Sequence, residues 1–109
     1  MGAENYNYRI TSGTRGNGDL SSSAAVVAAI AGVTLSLKRV IWSASAAGVY
    51  TIERADGTDL VVVNLGANGG AVMEFAPGQL NGSEGAAINA LASVTGSAFV
   101  YVECYALAA

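Results

Sequence analysis

The residues of this sequence that could do chemistry are few, and the residue type most used for acid–base catalysis is missing. The sequence contains no histidine, so it lacks the usual general base and the commonest metal ligand. Its single cysteine, Cys104, cannot form a disulfide within the chain, and one cysteine without histidine excludes a zinc site built from one protomer. A Ser-His-Asp or Cys-His mechanism therefore cannot be assembled in this chain.

Three carboxylates, Glu53, Asp56 and Asp59, lie close together in the sequence. A glycosidase needs two carboxylates across a cleft, and a calcium site needs several oxygen ligands on a tight loop. Asp56 precedes Gly57 between two alternating runs, which is the strongest short-range signal of a β-hairpin. We interpret Asp56 as a turn residue, with calcium binding as the alternative, and expect no enzyme activity, cofactor or metal.

The elements that must position these residues are short alternating runs separated by glycine turns. Such runs occupy residues 49–54, 60–65, 71–75 and 99–105. Valine, tyrosine and isoleucine in alternation predict a small antiparallel β-sandwich, with consecutive strands in a meander or Greek key. The glycines of residues 66–70 lie between two predicted strands, which disfavours a phosphate-binding loop.

Residues 33–42 predict a strand whose apolar phase slips at Lys38-Arg39, which a β-bulge would explain. Trp42 is interpreted as a core residue, and stacking on a ligand is the alternative. Residues 24–31 fit a helix or a strand; the β-branched residues among them favour an extended segment. The apolar positions of residues 86–92 likewise fit the spacing of both a helix and a strand.

The last predicted strand has two different faces. Val100, Val102 and Cys104 lie on one face, which we expect to be the core, with Cys104 as a small buried hydrophobe. The other face is rich in tyrosine, at Tyr101 and Tyr105, and remains free for a neighbouring subunit.

An extended N-terminal arm over residues 1–22 is predicted to precede a β-sandwich domain over residues 23–109. Tyr6 and Tyr8 alternate with polar residues, and the glycines and asparagine of residues 12–19 favour an irregular backbone. The arm either becomes ordered on a partner, or it is an edge strand or a frayed terminus.

The composition is that of one domain with an unusually uncharged surface. Of the 109 residues only 12% are charged, against about 25% in an average soluble domain. We therefore expect self-association or permanent docking. The net charge of −3 and the scattered basic residues argue against nucleic-acid binding. The N-terminus lacks the pattern of a signal peptide, and residues 24–33 are too short to span a bilayer, so we expect synthesis in a cytoplasm and no membrane insertion.

Residues 22–105 resemble small virion structural proteins of tailed bacteriophages. The matching features are a serine-alanine entry segment, a strand ending in Val40-Ile41-Trp42, a turn at Asp56-Gly57-Thr58, the run Phe75-Ala76-Pro77-Gly78 and a closing strand from Ala98 to Glu103. The run Gly48-Val49-Tyr50-Thr51-Ile52 also matches. The resemblance implies a jelly-roll-like β-sandwich that serves as a capsid decoration (cement) protein or as part of a head or tail fibre.

This resemblance implies the major capsid protein as partner, the outer capsid surface of the virion as location, and a homotrimer ahead of a homodimer. Tyr6, Tyr8, Arg9, Lys38 and Arg39 are the candidates for contact with the capsid. Tyr101 and Tyr105 are the candidates for the subunit interface. The alternative is a carbohydrate- or receptor-binding module of a tail fibre or baseplate, which would stack sugar rings on an exposed Trp42 or Tyr50.

Overall fold

The computed structural model describes residues 8–16, 20–93 and 98–108, and these form eight β-strands without a helix. The all-β prediction is confirmed. None of the described residues belongs to a helix long and apolar enough to cross a membrane. The strands are β1 (Arg9–Gly16), β2 (Ala24–Val27), β3 (Val33–Ala44), β4 (Gly48–Arg54), β5 (Asp59–Leu65), β6 (Gly70–Glu74), β7 (Ile88–Ala92) and β8 (Ala98–Ala108).

The strands form two antiparallel sheets of four. The first sheet has the order β1-β8-β3-β6, and the second has the order β2-β7-β4-β5. The first strand of the chain thus pairs with the last, the second with the seventh, the third with the sixth and the fourth with the fifth. The two sheets enclose one core between them.

The core is built from the alternate residues that the sequence pattern marks as apolar. Val100, Val102 and Cys104 on β8 are fully buried, as predicted. Trp42 is also buried, and its ring packs edge to face on Tyr50, with the ring centroids 5.0 Å apart. The Tyr50 hydroxyl donates a hydrogen bond to the Ala46 carbonyl at 2.6 Å, which satisfies its polar end inside the core. The core interpretation of Trp42 is confirmed.

The predicted bulge in β3 is present. The pairing of β3 with β8 shifts register between Leu37 and Arg39, so Lys38 is the extra residue. Leu37 before the bulge and Val40 after it are both fully buried. The bulge therefore keeps the apolar side chains on the core side through the change of phase.

The ambiguous segments both contain strands, but they are shorter than the patterns suggested. Within residues 24–31 only Ala24–Val27 is a strand, and within residues 86–92 only Ile88–Ala92 is one. In the part of the chain that the structure describes, β2 pairs with β7 and with no other strand of its sheet. The extended interpretation is right for the first half of residues 24–31, and the helical alternative is wrong for it.

Of the two predicted strand orders, the meander is wrong, because consecutive strands β5 and β6 lie in different sheets. The turn between them is bound to the end of β3: the Ala44 amide donates to the Gly69 carbonyl at 2.9 Å, and the Asn68 amide donates to the Ser45 carbonyl at 3.4 Å. Asn68 has a φ of 58°, a left-handed conformation that asparagine tolerates. This turn delivers β6 to the edge of β3 in the opposite sheet.

The arm prediction is wrong for Arg9–Gly16, which is edge strand β1, paired with β8 along its whole length. The irregular backbone expected for residues 12–19 is likewise wrong over Ser12–Gly16; the rest of that stretch, and residues 1–7, lie outside the described residues. Glycine serves packing here, since a Cβ at Gly13 would lie 1.7 Å from the Val26 carbonyl oxygen. The edge-strand alternative describes this segment.

Candidate interaction surface

The outer surface of the β1-β8-β3-β6 sheet carries most of the residues singled out from the sequence. We call it the aromatic face. Its middle row runs across all four strands, because Thr14 pairs with Tyr101, Tyr101 with Ile41, and Ile41 with Val72. Val72 is 66% exposed and Phe99 is 43% exposed. The other apolar members are Ile10, which is exposed, and the half-buried Tyr105.

A row of ionised side chains crosses the aromatic face beside the tyrosines. Arg39 donates to Glu74 through Nε at 3.0 Å, and the Lys38 Nζ lies 3.4 Å from Glu103 Oε1. Lys38 and Arg39 are adjacent in sequence, yet both meet carboxylates on this face, because the bulge breaks the normal alternation of sides. The row contains two cations and two carboxylates, so it is compensated in charge.

Glu103 is the centre of this row. The Tyr101 hydroxyl donates to Glu103 Oε2 at 2.7 Å. That hydrogen bond, with the hydrogen bond from Lys38, holds the pKa of the Glu103 carboxyl below its usual value and outweighs the opposing effect of desolvation. The same bond raises the pKa of the Tyr101 hydroxyl. The carboxylate is therefore the form that the folded protein stabilises.

Acidification is expected to remove this contribution to stability. A carboxyl group whose pKa is lowered by folding stabilises the protein above its unfolded pKa, and the stabilisation is lost as pH falls through the folded value. Glu103→Gln should therefore lower the free energy of unfolding at pH 7 by less than about 1 kcal/mol and make its decline below about pH 5 shallower.

The measurement is urea denaturation, followed by circular dichroism, at a series of pH values. Tyr101→Phe is the matched variant, because it removes the donor and retains the carboxylate. Like Glu103→Gln, it should make the decline of the free energy of unfolding at low pH shallower. An unchanged pH dependence in both variants would contradict the role given to the Tyr101–Glu103 hydrogen bond.

Three further sequence candidates, Tyr8, Arg9 and Tyr105, lie at one end of the same sheet. The rings of Tyr8 and Tyr105 meet edge to face, with their centroids 5.5 Å apart. Arg9 is exposed, but it pairs with Ala106, one position out of phase with Tyr105. Its side chain is therefore directed to the other side of the sheet. Tyr6 lies outside the described residues.

The structure thus brings three of the five predicted capsid-contact residues together with both predicted subunit-interface residues. Tyr8, just before β1, and Lys38 and Arg39 on β3 share the aromatic face with Tyr101 and Tyr105 on β8. The two sets do not form two separate surfaces among the described residues. A partner that covers one set covers part of the other.

Two of the three carboxylates near the β4–β5 hairpin, Asp56 and Glu53, have structural partners. The Asp56 side chain accepts the Thr58 amide at 2.9 Å, a hydrogen bond that lowers the pKa of Asp56 and closes the predicted turn, in which Gly57 has a φ of 94°. Glu53 is buried and accepts a hydrogen bond from the Ser23 hydroxyl. Among the described residues, no group of three or more acidic or cysteine side chains is arranged to hold a metal ion.

Cys104 has the environment of a core residue. Its side chain is fully buried on the inner side of β8, and burial raises the pKa of the thiol to about 12. At neutral pH the thiol is therefore protonated and a poor nucleophile. The interpretation of Cys104 as a small buried hydrophobe is confirmed.

Sequence reasoning did not single out several exposed apolar side chains. Ile10 and Val72 lie on the aromatic face, and Val49 and Val62 lie on the outer side of the second sheet. Alternation alone places one apolar set per strand in the core, whereas residues 61–63 are valine throughout, so one of them must be directed outward. The run of three valines was therefore the sequence feature that could have indicated an exposed apolar side chain at Val62.

Comparisons of this chain with protein-family models, with curated protein sequences and with solved structures found no match.

Proposed function

We propose that this protein is a capsid decoration protein, which binds the outer surface of a bacteriophage head and stabilises the shell. The observation that carries the proposal is the aromatic face. It combines exposed Val72 and Phe99 with a charge-compensated row of ion pairs, on one side of a four-stranded sheet. Such a surface is suited to docking on another protein, since aromatic residues and arginine are enriched where proteins meet.

The strand order supports the fold that the resemblance implies. We infer that the two sheets form a jelly roll, in which a long antiparallel ribbon of strands is wrapped into two layers. The pairing of β1 with β8, β2 with β7, β3 with β6 and β4 with β5 is that of such a wrapped ribbon. Jelly rolls occur in viral capsid proteins and also in lectins and cupins, so the fold alone does not assign the function.

The physical basis of a cement function is mass action. A subunit that binds only the assembled shell stabilises that state in proportion to its occupancy. A contact of about 1,000 Å² per subunit is enough for a specific interface, and association of several copies raises the overall affinity further. The proposed partners are the major capsid protein and other copies of this chain, and no cofactor is required.

The alternative function, a carbohydrate- or receptor-binding module, depended on an exposed Trp42 or Tyr50. Both side chains are buried in the core, with Trp42 2% exposed and Tyr50 fully enclosed. Neither ring is available to stack on a sugar. This observation counts against the alternative in the form that the sequence suggested.

The test is to locate this protein on purified particles by mapping its density relative to the shell. We expect a regular array of copies at the local symmetry axes of the head. Absence of the protein from the particle would overturn the proposal, and a few copies confined to the tail would replace it with the tail-fibre function.

A pair of variants then tests which surface makes the contact. Phe99→Glu places a charge on the aromatic face, and Val49→Glu places one on the opposite sheet at a side chain of similar exposure. We expect Phe99→Glu to lower the occupancy on particles and Val49→Glu to leave it unchanged. Equal occupancy for both variants would exclude the aromatic face as the docking surface.

A further inference from the structure

The free edges of the two sheets differ in how they are protected. A sheet edge presents unpaired backbone N–H and C=O groups, and proteins usually block it with charge, proline, a bulge or a short strand. Edge strand β1 carries Arg9 and Arg15. Edge strand β2 has only four residues and a register shift, and edge strand β6 has five residues and ends at Glu74.

Edge strand β5 lacks most of these devices. It has seven residues and three consecutive valines at its centre, and among the described residues it pairs with β4 on one side only. Its only charged residue is Asp59 at one end, and its register shift also lies at that end, next to Leu60. Val62 in the middle of the strand is 51% exposed. The stretch from Val61 to Leu65 is therefore a regular, uncharged and accessible edge.

We propose that β5 pairs antiparallel with β5 of a second copy of this chain, about a two-fold axis at Val62, so that the two four-stranded sheets become one sheet of eight strands. This inference rests on the proposed function as a self-associating structural subunit. It names the contact between copies, which is a sheet edge and not the aromatic face.

Charge and side-chain pairing select a second copy in this register. An axis at Val62 places Val62 opposite its counterpart, and Val61 opposite Val63 of the other copy. β-branched pairs of this kind stabilise sheets. The Asp59 side chains then lie roughly 20 Å apart, at six residues and about 3.4 Å per residue. An axis at Val63 would instead place Val62 opposite the polar Asn64.

The backbone geometry accepts this arrangement in either hydrogen-bonding phase. In an antiparallel ladder, opposite residues alternate between hydrogen-bonded and non-hydrogen-bonded pairs. A residue on a two-fold axis forms one or the other kind of pair with the same residue of the second copy, and both kinds occur in regular sheets. The edge is thus complementary to itself, which is the requirement for a two-fold contact between identical subunits.

The first test is the mass of the purified full chain in solution, measured by sedimentation equilibrium over a range of concentrations. We expect twice the mass of the chain for the unaltered protein and a shift to the monomer mass for Val62→Lys. Val49→Lys is the matched control, because Val49 lies on the same outer side but on central strand β4. It should retain the dimer.

Three results would overturn the proposal. The unaltered chain could remain monomeric at every concentration, it could form the trimer that the resemblance implies, or both lysine variants could dissociate equally. Circular dichroism of each variant verifies that the sandwich is folded. Because the solution mass is measured without particles, failure here is distinguishable from failure of the capsid assignment.

A cross-linking pair tests the register and does not depend on the lysine variant. Val62→Cys should form a disulfide-linked dimer under a mild oxidant, as seen on a non-reducing gel. Asn64→Cys should not, because its two copies would lie roughly 14 Å apart, at four residues and about 3.4 Å per residue, and a disulfide requires Cα atoms within about 7 Å. Buried Cys104 gives little background. Cross-linking through Asn64→Cys and not through Val62→Cys would overturn the proposed axis.

Discussion

Replacing Trp42 by alanine is expected to lower the free energy of unfolding by about 3–5 kcal/mol, the range found when large aromatic side chains are removed from protein cores. The side chain is 2% exposed and packs edge to face on Tyr50. Its removal leaves a cavity between the sheets and deprives the Tyr50 ring of its main aromatic contact. For a domain whose stability is in the ordinary range of about 5–15 kcal/mol, this is a large fraction of the total.

Trp42→Phe is the variant that separates ring packing from the polar group. The Trp42 Nε1 is buried and has no hydrogen-bond partner among the described residues. Phenylalanine retains much of the ring and removes this unpaired donor, so we expect a loss of only about 1 kcal/mol.

The measurement for Trp42 is urea denaturation, followed by far-ultraviolet circular dichroism at fixed protein concentration, since self-association would add a concentration dependence. Phe99→Ala, on the outer surface, serves as control and should cost less than about 1 kcal/mol. A loss below 1 kcal/mol for Trp42→Ala would contradict its place in the core.

Replacing Gly13 by alanine is expected to lower the free energy of unfolding by roughly 3 kcal/mol, at the upper end of the range for overpacked sites. A Cβ on Gly13 would lie 1.7 Å from the Val26 carbonyl oxygen, which is a backbone atom of β2 in the other sheet. A backbone atom cannot rotate away as the end of a side chain can. Strand β1 must therefore move away from β2, with loss of contacts where the two sheets close.

Gly66→Ala is the matched control for this substitution. Gly66 lies in an exposed turn, and a Cβ there would meet nothing within 4 Å. The Gly66→Ala substitution should change the free energy of unfolding of the protein by less than about 0.5 kcal/mol. Equal stability of Gly13→Ala and Gly66→Ala, measured by urea denaturation, would contradict the close approach of β1 to β2 at Gly13.

Which side chains share a face of a strand could be predicted from the sequence, because this is a local property. Alternation fixes which side chains of a strand share a face, so Val100, Val102 and Cys104 could be assigned to the core. The phase slip at Lys38-Arg39 predicted the bulge, and Asp56-Gly57 predicted the hairpin, for the same reason. The absence of histidine is equally a property of the sequence alone.

The partners of each strand could not be predicted, because they depend on contacts between distant parts of the chain. Strand β6 follows β5 in sequence but pairs with β3, since the intervening turn is hydrogen-bonded to the end of β3. The sequence predicts an arm in place of β1, because glycines at this density are locally typical of turns. One of those glycines instead allows β1 to approach β2 across the sandwich.

For the aromatic face, too, part of the arrangement could be predicted from the sequence and part depended on the tertiary structure. Alternation placed Tyr101 and Tyr105 on one outward face, and the bulge singled out Lys38 and Arg39. Only the tertiary structure set these residues side by side and joined Val72 to them, because neighbours across a sheet are determined by strand order and register. The sequence determined which side chains face outward, and the pairing of distant strands decided which of them form one surface.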